Sequence, residues 1–168
     1  VSSGASLGAV LALAFGFHLP GLPHGGPMVL AIVFAFLSML MILALAYAFD
    51  RSFSTHTIIL VGVIFSMFVS SLITLVIAFS GEKLHSITFW SMGSLAASDY
   101  VQGLLLLITL IICGGLLSLR SWELNAFALG EENAHHIGIH VKSVKLQVLI
   151  CVSALIGVAV SIGGTIAF

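Results

Sequence analysis

The sequence predicts an all-α, polytopic transmembrane helix bundle of five spans, and two observations lead there. Of its 168 residues, 60% are hydrophobic and only 7% are charged, where a soluble domain carries about 25% charged residues. Such a chain cannot clothe itself in a water-facing surface. The apolar residues also fall in continuous runs of roughly 20, and because every backbone polar group in hydrocarbon must be satisfied within the structure, runs of that length select helices. A membrane barrel would alternate polar and apolar residues, and these runs do not.

The first run covers about 1–19 and gives way to the turn-rich stretch from His18 to Pro27, whose prolines and glycines break helices at a membrane surface. The second covers about 28–49. A polar link, Asp50-Arg51-Ser52-Phe53-Ser54-Thr55, leads into the third run, about 56–79, long enough to cross with some tilt. A longer connection from Ser80 to Asp99 precedes the fourth run, about 100–119. The segment 120–143 is rich in charge, and the fifth run, about 144–168, continues to Phe168 without a polar flank, which reads as a cut end and hence a fragment. All of 1–168 is taken as a single membrane region.

Cations set the orientation. Arg51, Arg120, Lys142 and Lys145 fall on one side and Lys83 alone on the other, so the first side is cytoplasmic, with residue 1 on it. A formal net charge of −1 excludes a basic nucleic-acid-binding surface. Val1 to Phe17 lacks the basic start of a cleavable signal peptide. Cys113 and Cys151 lie in apolar runs and read as small buried hydrophobes, without a disulfide framework.

Small residues recur at i+4 within the spans, a spacing that stacks them on one helix face and lets another backbone approach closely. Gly4, Gly8, Ala12 and Gly16 form such a stripe, Gly62, Ser66, Ser70 and Thr74 a second, and Ser153, Gly157, Ser161 and Thr165 a third. Close helix packing accounts for any one stripe, and three together predict a compact bundle. Hydroxyls in the second also fit the lining of a hydrated path. No Asp, Glu, Lys or Arg stands in the middle of any span, which argues against an ion-coupled transporter, since handling charge at depth calls for such groups.

Between Glu123 and His140 the pattern predicts two short helices meeting at Gly130. Glu131 and Glu132 open the second helix, His135 and His136 close it, and Gly138 stops it, an order that complements the macrodipole. A helix of two turns needs something to pack against. Leu124, Phe127, Leu129 and Ile137 are apolar groups near a polar surface and are read as a docking site for a cytoplasmic partner, the bland alternative being a helix lying on the bilayer. His136 and His140 have the i+4 spacing of imidazoles sharing a metal, but Gly138 between them breaks the helix, so no metal site is expected. His18, His24 and His85 are scattered. With no Walker loop, paired catalytic carboxylates or nucleophile elbow, the chain is not read as an enzyme.

Three stretches resemble one family. Leu129-Gly130-Glu131-Glu132-Asn133-Ala134-His135-His136-Ile137-Gly138, led by Leu124-Asn125, is similar to the LGE-x-x-A-x-x-L-G coupling segment of the FecCD-type permeases, the membrane subunits of ATP-binding-cassette importers for iron siderophores, haem and cobalamin. Phe89-Trp90-Ser91-Met92-Gly93-Ser94-Leu95 is similar to their external W-x-x-G-S-L motif, and Ser3-Gly4-Ala5-Ser6-Leu7-Gly8-Ala9 to their S-G-A-x-x-G-A helix. Order and spacing agree along the whole chain.

The resemblance implies a ten-helix permease of the bacterial plasma (inner) membrane, of which these spans are the third to seventh helices. It implies a second permease copy, homologous or identical, two cytoplasmic ATPase subunits and an external substrate-binding protein. No cofactor is bound by this chain, and ATP and Mg act in the partner subunit. The coupling residues implied are Leu124, Asn125, Leu129, Gly130, Glu131, Ala134 and Gly138. Ser54 and Thr55 narrow the cytoplasmic end of the path, Trp90, Gly93 and Ser94 form the external motif, and Gly4, Gly8, Gly62, Ser66, Ser70, Ser153 and Gly157 pack helices or line the path. The alternatives are a secondary transporter or channel working without an ATPase, and a membrane scaffold.

Overall fold

Helices account for all the regular structure among the described residues, as a chain this apolar requires. The computed structural model describes residues 1–17, 25–50, 54–94, 99–127 and 130–165. In chain order the helices are α1 (Ser2–Phe15), α2 (Gly25–Phe49), α3 (Thr55–Phe79), α4 (Leu84–Ser91), entered through a 3-10 turn at Gly81–Lys83, α5 (Tyr100–Leu119), α6 (Ser121–Phe127), α7 (Glu131–His136) and α8 (Val141–Gly163).

Four of these, α2, α3, α5 and α8, are long and apolar enough to cross a membrane. The second to fifth expected runs map onto them, with shifted ends. α2 begins at Gly25 and not after Pro27, because a proline in the first helical turn gives up an amide that has no intrahelical partner anyway. α8 begins at Val141 and stops at Gly163, short of the expected 168, where Gly164 takes φ 85°.

α1 differs more. Its 14 residues rise only about 21 Å, less than the roughly 30 Å hydrocarbon core, where the apolar run extended to about residue 19. Gly16 is the reason: at φ 67° it closes the helix, its amide donating to the Leu13 carbonyl and that of Phe17 to the Ala12 carbonyl, the paired bonds of a Schellman motif. The turn-rich residues 18–24 and Arg51 lie outside the described residues. The connection after Ser80, expected as a loop, contains α4, whose Ile87 is fully buried.

α2 is the central post. α1 and α8 both lie along it, α3 touches α1 and α2, and α5 packs chiefly on α8. The core where three helices meet is built of small side chains, Ala5 and Ala9 of α1, Ala31 and Ala35 of α2 and Val160 of α8, all fully buried. Between apolar helices in lipid the driving force is close van der Waals contact and not exclusion of water, so small residues set how near the axes come. A methyl at Gly8 would stand 2.8 Å from Phe34 Cβ and against the Leu30 carbonyl; one at Gly4 would press on Ser38. On the other side of α2, a methyl at Gly157 would stand 3.0 Å from Ala35 Cβ.

α3 and α5 contribute little to this core. Only Val61 and Val69 of α3 and Cys113 of α5 are buried, while Ile64, Met67, Leu107 and Ile111 are among many apolar side chains left on the surface. Against hydrocarbon such exposure carries no penalty. A Gly8→Leu variant is expected to lose the α1–α2 contact and about 1–3 kcal/mol or more of stability, as overpacking does, whereas Gly62→Ala, with nothing within 4 Å of the new methyl, is expected to change it little. Thermal unfolding of the two variants in detergent micelles checks this.

Candidate functional site

At the end where the cations concentrate α5 runs to Arg120, whose guanidinium donates to the Glu123 carboxylate at 2.5 Å, i to i+3 across the start of α6. α6 and α7 then fold against the first turn of α8. Ala126, Ala134, Ile139 and Val144 form a small buried core, with Leu124, Phe127, Val141 and Val148 packed on it. Gly130, at φ 101°, turns the chain between the two helices and its carbonyl accepts the Ala134 amide at 3.0 Å. Gly138, at φ 87°, ends α7, and the Ile139 amide reaches back to the Ala134 carbonyl at 3.1 Å. Two helices of 7 and 6 residues, too short to stand alone, are held by packing and turns.

The apolar residues of this segment differ in exposure. Leu124 and Phe127 are half-buried in the small core and Ala134 fully so, so they shape the segment from below. The exposed apolar groups are Trp122, at 68% exposure, and Ile137, at 55%, with Asn125, Asn133, Gly130 and Gly138 exposed beside them. Trp122 escaped the sequence reading because it precedes the motif; a large aromatic between charged residues at the end of a span was the available signal. Leu129 and the Glu131 side chain lie outside the described residues.

At the start of α3, Ser54 is the N-cap residue, half-buried, and Thr55 is exposed. The Asp50 carboxylate holds this corner: one of its oxygens accepts from the Ser54 amide at 3.4 Å and from the Thr57 hydroxyl at 3.3 Å. Asp50 was read only as part of a polar link. Its spacing of four from Ser54 and seven from Thr57 was the clue.

At the opposite end the external motif meets the end of α8. Trp90, at the end of α4, packs on the central alanine core, and the Thr165 hydroxyl donates to the Ser91 carbonyl at 2.6 Å. Gly93, at φ 71°, lies so close that a methyl there would stand 2.6 Å from the Gly163 carbonyl oxygen, and one at Gly164 2.5 Å from that of Trp90. Ser94 is exposed. Lys83 donates to the Ala14 carbonyl at 3.1 Å, satisfying an orphan acceptor at the end of α1. Asp99 and Gln102 close a capping box at the start of α5.

The three stripes separate. Gly4 and Gly8 face α2 from one side and Gly157 from the other, and Ser153 is fully buried with its hydroxyl turned to the Ile150 carbonyl. The α3 stripe is partly open: a methyl at Gly62 would meet nothing within 4 Å, Gly62 and Ser66 are half-buried, and Ser70 and Thr74 are exposed. Ser66 and Thr74 turn their hydroxyls back to the Val63 and Ser70 carbonyls. Cys113 and Cys151 are buried free thiols. Among the described residues no three His, Cys, Asp or Glu side chains come together as metal ligands.

The model of the FecCD transport family matches residues 1–168, the whole chain. The chain belongs to the FecCD transport family. Among solved structures it is similar to a metal-chelate type ABC transporter in an inward-facing conformation, at 30% identity and a TM-score of 0.87, covering 99% of this chain and 51% of that one. It is also 44% identical over 45 residues, 27% of this chain and 14% of the relative, to the hemin transport system permease protein HmuU of Yersinia pestis. The chain thus spans about half the length of the solved relative. As a FecCD chain with four span-length apolar helices it is a multi-pass protein of the inner membrane.

In this FecCD chain the α4–α8 junction brings together the external motif and the end of α8, Ser91 and Thr165 lying 74 residues apart, and its closest approaches are backbone ones. Gly93→Ala, which meets both a positive φ and the Gly163 carbonyl, is expected to cost at least about 1–2 kcal/mol, and Thr165→Val about 1 kcal/mol through the lost hydrogen bond. Thermal melts of the purified variants in one detergent give the comparison.

Proposed function

We propose that this chain is part of the permease subunit of an ATP-driven importer, forming part of the translocation path for a metal chelate such as an iron-siderophore, haem or cobalamin. The observation that carries the reading is the α6–α7 unit. Two short helices, packed as one body on the start of α8, present Trp122, Asn125 and Ile137 at the membrane surface. A pair of exposed apolar anchors around a polar centre is what a cytoplasmic ATPase subunit needs in order to grip and move a membrane helix. Family membership supports the transport role, and the relatives named above, one described as a metal-chelate ABC transporter and one as a hemin permease, support the substrate class.

In this reading the energy-supplying chemistry belongs to two ATPase subunits, where ATP and Mg act, and a substrate-binding protein delivers the chelate from outside. A second permease copy completes the path. The α3 stripe of Gly62, Ser66, Ser70 and Thr74, small and hydroxyl-bearing, half-buried at Gly62 and Ser66 and exposed at Ser70 and Thr74, is assigned to that path or to its partner copy. The absence of ionisable residues from the middle of the spans fits a bulky cargo moved by an external motor better than a coupled ion. Asp50, by fixing Ser54 and Thr57, gives the cytoplasmic mouth a defined shape.

The test is co-purification of the permease with its cytoplasmic ATPase subunit. Trp122→Ala combined with Ile137→Asp leaves the small core untouched and is expected to weaken association roughly tenfold or more, the scale of losing a tryptophan anchor, and to abolish uptake. Undiminished association would move the contact elsewhere. No ATPase with either protein would favour a secondary transporter.

A further inference from the structure

On the side where the cations concentrate, a groove of about 240 Å³ opens between α2, α3 and α8, lined by Leu43, Ile58, Lys142, Lys145, Leu146 and Leu149 among others. We infer that this groove is a binding site for an anionic phospholipid, such as a phosphatidylglycerol, of the adjacent leaflet. Residues 142, 145, 146 and 149 share one face of α8, since they follow the helical spacing of three and four. That face is split by chemistry. Lys142, exposed, and Lys145, half-buried, stand in the first turns of α8, while Leu146 and Leu149 continue it toward the bilayer centre, where Leu43 of α2 closes the floor; Ile58, three residues into α3, lines the side nearer the rim.

Depth and charge identify the occupant. Leu43 lies six residues from the end of α2 and Leu149 eight from the start of α8, so the floor reaches about 9–12 Å along the helices from their ends. That is the depth of a glycerol backbone and the first methylenes when the headgroup sits at the rim. Two ammonium groups at the rim complement a phosphodiester. Each carries three N–H donors, so the contacts that Lys142 and Lys145 already make within the chain leave donors for phosphate oxygens. Basic pockets between spans at the cytoplasmic surface are where anionic headgroups bind. The inference does not rest on the importer reading, because neither cargo nor ATPase enters it.

The experiment is native mass spectrometry of the detergent-purified permease carrying this chain, incubated with equal amounts of dioleoylphosphatidylglycerol and dioleoylphosphatidylcholine. The anionic lipid is expected to be retained roughly tenfold over the zwitterionic one, the scale of two lysines at a membrane surface. Lys142→Gln with Lys145→Gln should bring the ratio near one, and Lys142→Arg with Lys145→Arg should preserve it. If the Gln variant does not fold, raising salt on the wild-type protein must shrink the preference severalfold by screening. Equal retention in the wild type, an unchanged ratio in a folded Gln variant, or insensitivity to salt overturns the assignment. So does displacement by millimolar inorganic phosphate, which would mark a free-anion site. Negligible retention of both lipids, the result if another segment or a second copy fills the groove, overturns it too.

Discussion

Backbone-to-backbone approach along α2 is the constraint on which the bundle depends. In water a helix is driven onto its neighbour by the area it buries, but in lipid the same side chains are as well solvated outside the protein as inside. What remains is dispersion, which falls steeply with distance, so the seam must be built from residues that let axes come close. Ala31, Ala35 and Ser38 serve α2 in this way, Gly4, Ala5, Gly8 and Ala9 serve α1, and Gly157 and Val160 serve α8. The larger residues of α3 and α5 are then free to face outward, since nothing in the medium forces them in.

Close packing along the shafts leaves the helix ends to be settled separately, because each end has orphan amides or carbonyls near the edge of the hydrocarbon. Several ends have a device of their own. α1 closes on Gly16 and the Lys83 ammonium, α5 opens on the Asp99–Gln102 box, and the corner before α3 is held by Asp50. Two contacts at helix ends tie elements distant in sequence, Lys83 to Ala14 and Thr165 to Ser91. They place the end of α1, the connection after Ser80 and the end of α8 at one surface.

The long helices were legible because length and continuous hydrophobicity report on the bilayer directly: α5 falls on residues 100–119 as expected. The two short helices were legible because Gly130 and Gly138 punctuate them. α4 was missed because Leu84 to Ser91 is neither long nor continuously apolar; tertiary burial of Ile87 and half-burial of Trp90 hold it, and neither shows in a local window. The same limit explains the docking surface. Leu124 and Ile137 look alike in sequence, and only the fold of α6 and α7 onto Val144 decides that the first turns inward while the second stays out.

That fold also bears on how motion would pass from the segment into the membrane under the proposed role. The segment has two attachments of unequal stiffness. Toward α5 it is joined through the Arg120–Glu123 pair, a partly exposed ion pair of a kind that contributes little. Toward α8 it is joined by a buried core of four residues with Val144 inside it, and packed cores shift as units and do not deform smoothly. Under that proposed role a push on Trp122 and Ile137 would reach α8 through this core, and α8 touches the α2 seam at Gly157 and the external motif through Gly163 and Thr165. In that proposed role one helix would span the distance from one membrane face to the other, and the tight contacts at both of its ends would serve transmission as well as stability.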